Sequence, residues 1–107
     1  MYKEILDKYG EEYILRQLAE ECNELAQAAL KYIRAKRGET PVDAVTAKIL
    51  LIEEMADVEV AMEAMRSTGM TLDDCFRISQ MCHIKAQRWA ERMLDGKTEG
   101  DDSCEDT

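Results

Sequence analysis

Apolar residues recur along this chain at helical spacing, and their phase divides it into four helices. Tyr2 to Tyr9 is a short amphipathic segment with Ile5, Leu6 and Tyr9 on one side, ended by Gly10. The first long helix runs from about Glu11 to Ala35, its apolar arc built from residues such as Ile14, Leu18, Cys22, Leu25, Ala29 and Ile33. Lys36, Arg37 and Gly38 close it, because cations suit the last turn and glycine suits the left-handed cap. Glu39-Thr40-Pro41 is the connector, and Pro41 or the residues just after it open a second long helix that continues to about Ser67. Thr68-Gly69-Met70 forms a turn. Thr71-Leu72-Asp73-Asp74 resembles a capping box with Asp in place of Glu, so a third long helix starts there and runs to about Leu94, where Asp95-Gly96 stops it.

The second long helix breaks the apolar pattern at its centre. Within Ile49-Leu50-Leu51-Ile52-Glu53-Glu54-Met55-Ala56-Asp57-Val58, Glu54 shares a stripe with Ala47, Leu50, Leu51, Val58, Ala61 and Met65. Asp57 lies one turn away on the edge of that stripe, while Lys48, Glu59 and Glu63 form the polar face. A carboxylate out of water is costly unless a cation compensates it, either a Lys or Arg from another helix or a metal ion. The first long helix repeats the arrangement. Glu21 falls among Ile14, Leu18, Leu25, Ala28 and Tyr32, and Glu24 follows at i+3 on the margin of the same arc. If the two seams face each other, four carboxylates converge. All-oxygen ligation of that kind suits Mg²⁺ or Mn²⁺ rather than Zn²⁺.

Composition narrows the setting. At 107 residues, with Gly 5 and Pro 1, the chain reads as a single all-α domain over 1–96. Residues 97–107 hold five acidic side chains and almost no apolar surface, and are expected to be a disordered acidic tail. No apolar run is long enough to span a membrane, and Met1-Tyr2-Lys3-Glu4 does not begin a signal peptide. The formal net charge of -9 argues against binding a nucleic-acid backbone, and requires metal or local cations before an anionic substrate can approach. Cys22, Cys75, Cys82 and Cys104 form no CxxC and read as reduced, buried thiols of a cytoplasmic protein.

The third long helix carries cations on its apolar side: Lys85 and Arg92 share a face with Ile78, Cys82 and Trp89, and Arg88 flanks them. Snorkelling stems on an amphipathic helix would account for this. Beside a carboxylate cluster the same cations supply the other half of a phosphoryl-chemistry site. His83 points away from that face and is not expected to be a ligand, and Trp89 is expected in a core or an interface. Three long helices are a thin basis for a bundle. Oligomerisation, as a homodimer or homotetramer, would complete it and cover Met55, Met62 and Met65.

Glu20-Glu21-x-x-Glu24-Leu25 followed by Glu53-Glu54-x-x-Asp57-Val58 resembles the paired motif of the MazG-like, all-α nucleoside triphosphate pyrophosphohydrolases. Lys85-x-x-Arg88 is similar to that family's basic stretch after the two motifs, and the likeness covers about residues 11 to 94. The spacer from Leu25 to Glu53 is at the long end of the family's range, and His83 stands where an Asn is common. The resemblance implies hydrolysis of a nucleoside triphosphate between its α- and β-phosphates, giving the monophosphate and pyrophosphate. Carried over by position, Glu21, Glu24, Glu54 and Asp57 would hold Mg²⁺. Glu20 or Glu21 would position or deprotonate the water, and Lys85, Arg88 or Arg92 would share the phosphate charge.

Three other readings compete. Phosphoribosyl-ATP pyrophosphohydrolase shares the superfold, but its second motif continues into a Leu-Tyr-His-like run where this chain has Val58-Glu59-Val60. A di-iron carboxylate bundle needs Glu-x-x-His pairs, and His83 is the single histidine. A non-catalytic helical oligomer would pair its buried acids with Lys85, Arg88 and Arg92.

Overall fold

A computed structural model describes residues 1–95. Four helices follow in order: α1 (Tyr2–Tyr9), α2 (Glu11–Lys36), α3 (Ala44–Gly69) and α4 (Leu72–Leu94). No strand occurs among the described residues. The all-α expectation therefore holds, with helix ends within about three residues of those read from the pattern. The acidic tail expected at 97–107 lies outside the described residues.

The breaks between helices have identifiable causes. Gly10 adopts φ 90°, ψ 166°, a conformation that glycine alone visits readily, and its N–H donates to the Leu6 carbonyl at 2.8 Å. That single residue ends α1 and turns the chain into α2. At the far end of α2, Gly38 takes the left-handed conformation, φ 72°. α3 starts just after Pro41, the later of the two openings the sequence allows. Asp43 is the N-cap, and its carboxylate accepts a hydrogen bond from the Thr46 N–H at 2.8 Å. Pro41 thus belongs to the connector rather than to the helix.

The described residues form two units, the first ending at Met70 and the second beginning at Thr71. In the first, α2 and α3 pack along their lengths and α1 touches both. The connector over residues 37–43 is short, so the two long helices run antiparallel as a hairpin. Ile14, Ala28 and Ala35 of α2 and Ala47, Val58, Ala61 and Met65 of α3 are the buried apolar residues. Four of them are alanines, which let the backbones approach closely. Met65 is core rather than leftover surface, in contrast to the expectation, whereas Met55 and Met62 are exposed.

The second unit is built on α4. Its capping box is complete: Asp74 N–H donates to Thr71 Oγ1 and Thr71 N–H donates to Asp74 Oδ2, each at 3.0 Å. No residue of α4 is buried, and Trp89, expected in a core or an interface, is 62% exposed, so it is not in the core of this chain. The thiols depart from expectation. Cys22 and Cys82 are exposed and Cys75 is half-buried, all three free. No helix among the described residues is long and apolar enough to cross a membrane.

Candidate metal centre

Helical period carries Glu21 and Glu54 into the hairpin seam. Ile14 and Ala28, seven residues either side of Glu21, are both buried. Ala47 and Ala61, seven residues either side of Glu54, are buried as well, as is Val58 at i+4. Two turns of helix return a side chain to nearly the same face, so both glutamates share the face that packs. Asp57, one turn beyond Glu54, is exposed at its margin. One carboxylate oxygen from each of Glu21, Glu54 and Asp57 lies within 4.8 Å of the others.

Among the described residues, no hydrogen-bond donor reaches the two buried oxygens of this convergence. Oε1 of Glu21 and Oε1 of Glu54 are both buried without a hydrogen-bond partner. Burial pushes the Glu21 carboxyl above its ordinary pKa, and the charges of Asp57, Glu24, Glu54 and Glu20 push it further. Burial likewise raises Glu54, followed by the charges of Glu24, Asp57 and Glu53. A dominant salt-bridge partner would have lowered both values.

The donor set fits a hard divalent ion. Carboxylate oxygens are the ligands Mg²⁺ and Mn²⁺ take, and two oxygens on opposite sides of Mg²⁺ are about 4.2 Å apart. Oxygens that all lie within 4.8 Å of one another are near enough to share one such ion, and two of the three residues carry a buried oxygen whose lone pairs have no hydrogen-bond donor. Glu21, Glu54 and Asp57 are the residues that would hold the ion. Glu24, expected as a fourth ligand, is exposed and stands outside the trio. It lines the adjoining cleft together with Glu54.

Two clefts flank the centre within the first unit. One, of about 390 Å³, runs over Ala28 and Ala47 and is lined by Glu24, Glu54, Lys31 and Arg34. The other, of about 250 Å³, contains Glu21 and Asp57 among apolar and aromatic neighbours that include Ile5, Tyr2 and Tyr13. Lys31 and Arg34 were not singled out by the sequence pattern. Their spacing from Gln27, at i+4 and i+7, is the signal that places all three on one face.

The remaining predicted positions are more dispersed. Glu20 is exposed on α2, close enough for its charge to act on Glu21. Lys85 and Arg88 are exposed and Arg92 is half-buried, all on α4 in the second unit. Glu59 and Glu63 are exposed, and Glu63 accepts from Ser67 at 3.2 Å and pairs with Arg66 at 3.4 Å. His83 is exposed.

The described residues are all-α, and the first unit carries a cluster of carboxylates on the seam of its helical hairpin. No protein-family model, curated protein or solved structure matches the chain.

Proposed function

We propose that the protein is a Mg²⁺-dependent hydrolase that cleaves a nucleoside triphosphate between its α- and β-phosphates, releasing the monophosphate and pyrophosphate. The observation that carries this reading is the meeting of Glu21, Glu54 and Asp57, two of them with a buried oxygen that has no partner. Acids held this way raise the free energy of the metal-free fold, and a divalent cation relieves them. The likeness of Glu20-Glu21-x-x-Glu24 and Glu53-Glu54-x-x-Asp57 to the MazG-like motifs supplies the reaction.

On this reading Glu21, Glu54 and Asp57 hold Mg²⁺ or Mn²⁺, with Glu24 beside them. Bound there, the ion would lower the pKa of the attacking water and offset charge on the leaving pyrophosphate. Glu20, exposed at the edge of the cluster, or Glu21 itself takes the proton from that water. Lys85, Arg88 and Arg92 are the cations the resemblance assigns to phosphate. A second copy of the chain completes the bundle.

The test is a panel of canonical and modified nucleoside triphosphates incubated with Mg²⁺, the products separated by ion-exchange chromatography. Monophosphate and pyrophosphate in equal amounts, lost on chelation, is the expected result. Release of single orthophosphates, or no turnover of any triphosphate with Mg²⁺ or Mn²⁺, would contradict the assignment.

A further inference from the structure

Of the two clefts beside the carboxylates, only one has cations among its lining residues. Glu24, Ala28 and Lys31 stand at i, i+4 and i+7 on α2, and Gln27, Lys31 and Arg34 repeat that spacing one step round. All of them face the same 390 Å³ cleft, whose opposite wall brings Ala47 and Glu54 from α3. The cleft is therefore acidic where it meets the centre and basic about two to three helical turns further along. Lys31 is about 10 Å beyond Glu24 along the axis, and Arg34 about 15 Å.

Neither cation is engaged. Lys31 and Arg34 form no ion pair among the described residues, although carboxylates are abundant in the chain. Ala28, Val42, Ala47 and Leu50 make up the apolar part of the lining. The 250 Å³ cleft on the other side has no lysine or arginine in its walls. With a net charge of -9, a polyanion has little attraction for this molecule away from local cations.

We infer that the cleft from Glu24 and Glu54 to Lys31 and Arg34 is the phosphate-chain subsite, with the two cations holding the phosphates remote from the carboxylates. This rests on the phosphoanhydride-cleaving reading above, and it fixes the direction of the substrate. The leaving pyrophosphate points along α2 toward the connector, and the nucleoside extends away from Lys31 and Arg34. Arginine presents a planar fork to phosphate oxygens and lysine a mobile point charge, so the pair suits a chain of phosphates better than a single carboxylate.

The test uses methylenebisphosphonate, a non-hydrolysable pyrophosphate analogue, titrated calorimetrically into the full chain in saturating Mg²⁺. Thermal melting with and without Mg²⁺ is measured on the same samples. Lys31→Gln and Arg34→Gln should each weaken the analogue roughly ten- to hundred-fold, the loss of one charged hydrogen bond, and leave the Mg²⁺-induced rise in melting temperature intact. Lys36→Gln and Arg37→Gln, which change the net charge equally but lie outside the cleft lining, should bind the analogue as wild type does. Unchanged affinity in the Lys31→Gln/Arg34→Gln double variant, with Mg²⁺ stabilisation preserved, would overturn this subsite and leave the proposed activity standing. An equal loss in Lys36→Gln or Arg37→Gln would also overturn it, since bulk charge would then account for the effect. Absence of Mg²⁺ stabilisation in the wild-type protein would overturn the metal centre, and the subsite with it.

Discussion

Glu54 sits between Ala47, Val58 and Ala61, all buried, while its own Oε1 has no hydrogen-bond partner. Its carboxyl and that of Glu21 are raised above the ordinary value of 4.5, in both cases by burial first. A raised carboxyl favours the fold while it is protonated, so that contribution is present below the unfolded pKa and lost as pH rises through the folded one. In metal-free buffer the melting temperature should therefore fall as pH rises above about 4.5 through the raised carboxyls, and Glu54→Gln should make that fall shallower. Asp43 and Asp74 act in another window. Backbone hydrogen bonds from Thr46 and Thr71 lower their carboxyls from 3.8, so their support is present above that value and lost as pH drops through the lowered one. A Glu54→Gln protein destabilised at every pH would instead identify Glu54 as a structural ion-pair partner. The positions of Glu21, Glu54 and Asp57 were legible from helical phase, because a carboxylate on an apolar stripe has nowhere to go but the seam. Lys31 and Arg34 were not legible as residues that line a cleft. Cations near a helix C-terminus are common for dipole reasons alone, and only the packing of α3 turns their face into the wall of a cleft.

At the scale of the helices, local chemistry fixed the boundaries wherever one residue decided them. Gly10 ends α1 and Thr71 with Asp74 begins α4, as the sequence pattern predicts. Pro41 marked the start of α3 only to within a few residues, because proline permits a helix start without requiring one, and Asp43, with a side chain that reaches the Thr46 N–H, is the stronger signal. The two left-handed glycines should differ in cost. A Cβ at Gly10 or Gly38 meets nothing within 4 Å, so any penalty comes from the backbone. Gly10, at φ 90° and ψ 166°, lies in a region essentially closed to other residues, and Gly10→Ala should lose about 1–3 kcal/mol. Gly38, at φ 72°, lies nearer the ordinary left-handed well, and Gly38→Ala should lose about 1 kcal/mol. Urea denaturation of the two variants measures the order; a larger loss at Gly38 would show that α1 contributes little to the cooperative unit.

The described residues bury few large side chains, and the whole molecule is the level at which the sequence pattern was least informative. A wide apolar arc announces that a helix will be covered, without saying by what. Ile49, Ile52 and Met55 on α3 are each more than half exposed, and Phe76 and Trp89 on α4 are each 62% exposed. A second copy of the chain would supply apolar surface of the same kind, and on that proposal sedimentation equilibrium should find a dimer or tetramer whose melting temperature rises with protein concentration. A monomer at all micromolar concentrations, with a constant melting temperature, would contradict this. The central claim, that the carboxylates on the hairpin seam form a divalent-metal site, is tested most directly by thermal unfolding of wild type, Glu54→Gln and Glu59→Gln across a Mg²⁺ titration. Wild type and Glu59→Gln should both rise with metal, by about 2.7 kcal/mol of stability at one hundred times the dissociation constant, and Glu54→Gln should not. No shift in the wild-type protein at millimolar Mg²⁺ or Mn²⁺, or the same shift in Glu54→Gln, would contradict it.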